Sequence, residues 1–406
     1  MALPESPVPN AIQHSLRQGR YGEAVEALAV LTARRPSVPL MMAQASANLG
    51  LGDPFAAKEI ALRLVEAEPQ RQEARLLLAR IRTALDERDA ALGDFRTALD
   101  LSAAGAASPP ASLPAHLALH NLEQLTYLEE VQGLSPGTLL PGSANEREDT
   151  RRQLTQVLDK ADAIVPSVKL GGSIGRVLAE PPRLLHDEPP PPACLNPRND
   201  WAAAVHSIAN EGGVACVDGL LNPTALAQLQ RFCLHSTVWR RSYRHGYLGA
   251  FAEFGFVNTL LLQIAAELKA AVPDLLGSHH LAHWCSFVYQ HQRPGTDIHA
   301  DQSDISLNLW ITPDAANLQP GSGGLDIWHT AAPASWTFDD YNAGGYAIRA
   351  YLKEVGAGRT SYAHQENRAL LFNGALFHQT AASRFAEGFE NRRRNITFLF
   401  RRTTRR

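Results

Sequence analysis

Two hydrophobic periods divide the chain. Through residue 104 the apolar positions recur at helical spacing, and they do so with an internal repeat. Ala24, followed by Leu28, Leu31 and Pro36, sits after Gly19-Arg20-Tyr21. Ala57, followed by Ala61 and Pro69, sits after Gly52-Asp53-Pro54-Phe55. Ala91, followed by Phe95 and Ala98, sits after Asp86 and Arg88. The three alanines mark places where paired helices cross closely. Larger residues fill the gap to the next unit, and proline closes a unit. Ala106 to Pro110 breaks the array. His116 to Val131 then offers one more helix, with Leu117, Leu119, Leu122, Leu125 and Leu128 on one side, and Asn145 to Ile164 a more charged one. Pro181-Pro182 and Pro189 to Pro192 read as a stiff linker.

Beyond residue 200 the period shortens to two. Val214 to Asp218 is strand-like, Asn222-Pro223 opens a helix through Arg231, and Leu260 to Ala270 is another helix. Strands are expected at Trp284–Gln290, at Asp297–Ala300 after the Pro294-Gly295 turn, at Leu325–Trp328 and at Asn395–Phe400. In Ile305–Thr312 the alternation places Ile305, Leu307, Leu309 and Ile311 on one face. Ser306, Asn308, Trp310 and Thr312 take the other. Asn373-Gly374, between Ala369–Phe372 and Ala375–His378, is a hairpin signal. The pattern predicts an α+β multidomain chain: an N-terminal α-helical repeat array (1–104), a helical connector and proline-rich linker (105–198), and a C-terminal domain (199–406). Many short strands with glycine turns fit a double-stranded β-helix, jelly-roll or cupin-like, with flanking helices.

Composition changes this picture little. The length of 406 residues fits more than one domain, and 45% hydrophobic with 19% charged residues fits a globular chain. A formal net charge of −3 argues against a nucleic-acid partner. The exception is the segment 392–406, with seven arginines and no acid, which reads as a solvated strand end. Cys194, Cys216, Cys233 and Cys285 are scattered, which favours a reducing cytoplasm over a disulfide framework. No signal peptide and no membrane span are expected. His116, His120 and His186 read as surface residues.

The candidate chemistry lies in Ile298-His299-Ala300-Asp301 and in Leu376-Phe377-His378. Two histidines and one carboxylate form the ligand set that leaves three positions of a non-haem Fe(II) open. Strand alternation points His299 and Asp301 the same way. Among Arg392, Arg393 and Arg394, alternation puts Arg393 on one face with Asn395 and Thr397. It therefore selects Arg393 as the cavity-facing arginine, with Arg394 and Arg392 as alternatives.

Two resemblances follow from these residues. The first hundred residues resemble about three tetratricopeptide repeats, with most tryptophan and tyrosine positions of the first helix replaced. Such repeats imply a docking surface for a protein partner or a platform for self-association. Residues 200–402 resemble 2-oxoglutarate- and Fe(II)-dependent dioxygenases of the prolyl-hydroxylase-like kind. Their His-x-Asp, distal His, and Arg with a hydroxyl residue four later fall on His299, Asp301, His378, Arg393 and Thr397. The resemblance implies Fe(II), 2-oxoglutarate and O2, and hydroxylation of an unactivated C–H bond. It makes Arg393 the anchor of the cosubstrate's far carboxylate, with Thr397 as an added donor. Tyr289, Gln292 and Asn308 are further candidates for cosubstrate contact, and Trp310 and Trp328 for the substrate wall. His283, His291 and His364 are expected in structural or surface roles. The 77 residues from Asp301 to His378 exceed the usual gap. The excess at 313–319 and 331–357 is expected to form a lid or substrate loop with its own helix around 346–353. A protein or peptide substrate docked by the repeats is the first expectation. A tailoring hydroxylase of a free amino acid or natural product, and an inactive interaction protein, are the alternatives.

Overall fold

The computed structural model describes residues 7–104, 112–160, 164–243, 245–293, 295–342 and 344–404. It opens with α1 (Asn10–Arg17), α2 (Tyr21–Arg34), α3 (Val38–Leu51), α4 (Pro54–Ala67), α5 (Gln72–Ala84) and α6 (Arg88–Ala104), each packed on the next. Local chemistry sets their ends. Gly52, at φ +86°, stops α3 in a left-handed cap, and the Asp53 carboxylate accepts from Ala56 N at 3.0 Å with Pro54 opening α4. Helices α2, α4 and α6 begin at 21, 54 and 88, so Ala24, Ala57 and Ala91 occupy equivalent buried positions. The predicted break at 106–110 lies outside the described residues.

The connector folds as β1 (Leu113–Pro114), α7 (Ala115–Val131), α8 (Ala144–Asp159), β2 (Ser167–Val168) and α9 (Gly172–Ala179), with β1 paired to β2. Helix α7 is buried on more than its leucine side. His116 and His120 are both 0% exposed, which corrects their reading as surface residues. His120 packs edge-on against Trp239 and Phe389 and meets the Arg392 guanidinium at 3.3 Å. The prolines at 189–192 are a pinned strap: Gln228 donates to Pro189 O and Gln263 to Pro191 O, each at 2.9 Å.

The rest of the chain is α10 (Trp201–Asn210), β3 (Val214–Val217), α11 (Pro223–His235), β4 (Trp239–Tyr243), β5 (Tyr247–Phe251), α12 (Thr259–Ala271), α13 (Pro273–Leu276), β6 (His279–Tyr289), β7 (Gln292–Arg293), β8 (Ile305–Trp310), β9 (Leu325–Ala331), α14 (Gly345–Glu354), β10 (Arg359–Tyr362), β11 (Ala369–Asn373), β12 (Leu376–Thr380), β13 (Ser383–Arg384) and β14 (Arg394–Arg402). Seven strands form an antiparallel sheet in the order β3-β11-β8-β14-β6-β5-β4. Three more form a sheet in the order β10-β9-β12. The two sheets meet through Trp310, Leu325, Ile327, Leu370 and Phe372. Strand β8 is buried on both faces. Its leucines join the helix-covered core, while Asn308 looks into the cavity between the sheets.

The Asn373-Gly374 hairpin does not form. Strand β11 pairs with β3 and β8, whereas β12 pairs with β9 in the other sheet. A two-residue hairpin of this type needs positive φ at both turn residues, and neither Asn373 nor Gly374 has it. Gly374 instead donates to Asp304 O at 3.2 Å and accepts from Asp301 N at 2.8 Å. A Cβ on it would meet Ser303 Oγ at 2.2 Å. The dipeptide is a corner between sheets, wedged against the loop that carries Asp301.

The helical array shares the main core with the sheet. Ala79, Ala91, Leu92 and Phe95 belong to the same buried cluster as Leu281 and Trp284. Phe95 meets Trp284 edge to face at 5.7 Å. The arginines at 392–394 are not solvated: they are 1%, 0% and 2% exposed.

Candidate metal centre

The loop between β7 and β8 touches β12 through one antiparallel bridge. His299 N donates to His378 O at 3.0 Å and His378 N to His299 O at 2.8 Å. Residues directly opposite in such a bridge project side by side, and the two imidazole centroids are 4.4 Å apart. Asp301, two residues on, brings its carboxylate to 3.7 Å from His378 Nε2. One donor atom from each of the three lies within 4.8 Å of the others.

Neighbours fix the orientation of all three groups. Nδ1 of His299 faces Asp297 O at 3.0 Å, and Nδ1 of His378 faces Leu376 O at 3.0 Å. A carbonyl only accepts, so each Nδ1 carries the proton and each Nε2 keeps its lone pair. Burial pushes the His378 pKa down to about 4, which keeps the ring neutral. Ser306 Oγ donates to Asp301 Oδ2 at 2.6 Å. Two neutral imidazoles and one carboxylate fit a divalent first-row metal.

Behind Asn395, which lines the cavity, the three arginines separate. Arg392 leaves the site: it donates to Glu123 of α7 at 2.6 Å. Arg394 donates to the carbonyls of Phe389, Glu390 and Arg392. Arg393 lies with its guanidinium 4.6 Å from the Tyr289 ring centre and donates to Gly323 O and, at 3.2 Å, to Asn395 Oδ1. Its Nη2 is buried without a partner, as is Asn308 Oδ1. A buried guanidinium with no carboxylate is costly, so the residues present fit an anion there. Burial lowers the Arg393 pKa. Asn395, Thr397, Asn308, Tyr289 and Thr380 line the cavity between this arginine and the metal ligands.

That cavity has a volume of about 700 Å³. Its outer part is walled by Tyr243, Tyr247, Phe251 and Phe287, which stack or meet edge-on along β4, β5 and β6. The segment 331–357 covers it with Phe338, Asn342 and Gly344 and carries α14, whose Ile348 and Leu352 pack on Ile298 and Phe377. Other sequence candidates stand elsewhere. Gln292 is exposed. Trp310 packs between the sheets and Trp328 with Ile348 and Leu352 of α14, and neither lines the cavity. His364 is buried between Trp310 and Phe385, while His283 does line the cavity. Sequence reasoning missed Ser306 as the partner of Asp301, and it missed the aromatic wall. The alternation Cys285, Phe287, Tyr289 in β6 was the available signal.

No family model and no curated protein matches the chain. Solved structures do align with it. One is the non-heme alpha-ketoglutarate-dependent epimerase SnoN from nogalamycin biosynthesis, at 14% identity over 51% of this chain and 88% of that one, with a TM-score of 0.36. A second is AviO1 from Streptomyces viridochromogenes Tue57, at 15% identity over 51% of this chain and 97% of that one, with a TM-score of 0.33. A third is an oxidoreductase of the 2OG-Fe(II) oxygenase family from Burkholderia pseudomallei, at 9% identity over 50% of this chain and 91% of that one, with a TM-score of 0.31. Likenesses this loose transfer neither chemistry nor substrate. Among the described residues no helix is long and apolar enough to cross a membrane.

Proposed function

We propose that the chain is a 2-oxoglutarate- and Fe(II)-dependent dioxygenase that hydroxylates a C–H bond of a small molecule. One observation carries the reading. A His-Asp-His donor set lines the same cavity as Asn395, whose Oδ1 accepts from Arg393, a buried arginine with an unpaired donor. In this reading the two sheets are a double-stranded β-helix and the N-terminal helices are tetratricopeptide-like repeats.

His299, Asp301 and His378 would hold Fe(II), and Arg393 with Thr397, Asn308 and Tyr289 would hold the cosubstrate's far carboxylate. The iron, when bound, supplies dioxygen activation coupled to decarboxylation of the 2-oxo acid. The chain's own residues do the rest. The carbonyls of Asp297 and Leu376 hold the imidazoles in the ligating tautomer, and Ser306 aims the Asp301 carboxylate. The Arg393 guanidinium fixes the dicarboxylate with charge-assisted bonds in a buried site. The aromatic wall and the 331–357 cover keep bulk water from the reacting centre.

Two features favour a small molecule over a polypeptide. The segment 331–357 lies over the cavity, and the helical array is packed into the core of the sheet. Anaerobic titration with Fe(II) and 2-oxoglutarate tests the enzyme class. The visible charge-transfer band of a chelated 2-oxo acid is expected in wild type and not in His299→Ala. A folded, iron-loaded wild type without that band would sink the dioxygenase reading.

A further inference from the structure

The cavity-facing side of β14 runs Asn395, Thr397, Leu399, Arg401. These four line the cavity, and Arg393, which immediately precedes the strand, donates to Asn395 Oδ1 behind it. At ~3.3 Å per residue the two arginines are about 26 Å apart along the strand. The metal ligands sit between them: Asp301 is held by Ser306, which lies opposite Leu399 in the sheet. Each side of the metal therefore has its own arginine. Arg393 is assigned above to the cosubstrate, which leaves Arg401 without a role.

Arg401 is the one lysine or arginine among the described residues lining the cavity. Among the described residues no carboxylate pairs with it. Its guanidinium lies 5.0 Å from the ring centre of Tyr21, which belongs to α2 of the helical array. A ring face holds a guanidinium in place without cancelling its charge, so its donors stay available to an anion. Tyr21 also reaches the metal loop, because Gln302, next to Asp301, donates to the Tyr21 hydroxyl at 3.4 Å. The array cannot slide along the strand. Thr404 N donates to Gly52 O at 2.8 Å, Thr404 Oγ1 to Leu51 O at 3.1 Å, and a Cβ on Gly52 would meet Arg402 O at 2.5 Å. The acidic groups lining the cavity are Asp301, held by Ser306, and Asp297, exposed and 3.7 Å from His245; His283 also lines it, its pKa lowered by burial to about 4.

We propose that the substrate is an anionic small molecule, a carboxylate or a phosphate ester, whose charge is bound by Arg401, and that Tyr21 of the array is the positioning residue for that arginine. The aromatic wall across the cavity then takes the body of the molecule. This deepens the oxygenase reading by naming the substrate class. It also gives the array a task inside the site.

The test is calorimetric binding to the full chain, metal-free and again with Fe(II) and 2-oxoglutarate under anaerobic conditions. The probes are 3-phenylpropionate, phenyl phosphate, the neutral 3-phenylpropionamide and inorganic phosphate. At least one aryl anion should bind tenfold or more tighter than the amide, and which one does so separates carboxylate from phosphate ester. Arg401→Gln should abolish that preference, Arg401→Lys should restore part of it, and none of these variants should alter the cosubstrate band. Tyr21→Leu should weaken the aryl anion about threefold and spare the amide, while Tyr21→Phe, which keeps the ring, should not. Equal binding of aryl anions and amide, binding of neither, or an anion preference that survives Arg401→Gln would overturn the proposal. Loss of the cosubstrate band in wild type, with the preference intact in the metal-free chain, would remove the oxygenase reading instead.

Discussion

At the scale of single residues, the side chains behind the ligands should matter nearly as much as the ligands. Ser306 makes a 2.6 Å hydrogen bond to Asp301. Its loss in Ser306→Ala leaves the carboxylate free to rotate, and Fe(II) affinity should fall about 10- to 100-fold, read by competition with a chromophoric chelator. Arg393→Gln removes the buried charge but keeps a donor. The 2-oxoglutarate dissociation constant should rise at least tenfold, ~1.4 kcal/mol, with the metal still bound. An unchanged constant would hand the anchor to another residue. The sequence spacing singled out His299, Asp301 and His378 as a possible donor set, and the structure brings the three together, although His299 and Asp301 lie on a loop that meets β12 through one bridge and not on the expected strand. Ser306 was equally well placed, on the same face as Asn308. It went unnoticed because a serine on a strand face carries no sign of the carboxylate that will fold onto it.

At the scale of elements, the corner between β11 and β12 shows where local rules lose. The Asn373-Gly374 dipeptide favours a hairpin, yet the two strands join different sheets because each has better partners there. The glycine is needed for a close approach. In Gly374→Val the side chain would collide with Ser303 and push away the loop that carries Asp301. Loss of metal binding with the secondary structure kept is expected, checked by circular dichroism and metal titration. The link between α7 and the end of the sheet is another element-scale contact the sequence hid. Arg392 looked like one of a run of surface charges, but its 2.6 Å bond to Glu123 holds α7 against the strand end. Breaking a buried pair from one side costs about 3–5 kcal/mol, so Glu123→Ala should lower the urea midpoint clearly. Burial of this kind depends on which helix lies above the strand, and no local pattern reports that.

At the scale of the whole molecule, the buried histidines set the response to acid. Burial lowers His280 to about 4, His283 to about 4 and His364 to about 3, from an ordinary value of 6.5. Between pH 6.5 and about 4 the unfolded chain protonates these rings while the folded chain keeps them neutral. The unfolded state then binds more protons, and stability falls as pH drops through that window by at most ~1.4 kcal/mol per unit per histidine. Urea unfolding at pH 7 and pH 5 should show the lower midpoint at pH 5, and an equal midpoint would contradict it. The helical period of the first hundred residues was legible, as were most strands after residue 200. How those halves meet was not, because Phe95 and Trp284 are 189 positions apart and nothing nearby pairs them. That contact has an evolutionary consequence. Array and sheet are not interchangeable cassettes: a recombinant that joined this sheet to a foreign helical array would lack the Phe95 ring that packs edge-on against Trp284.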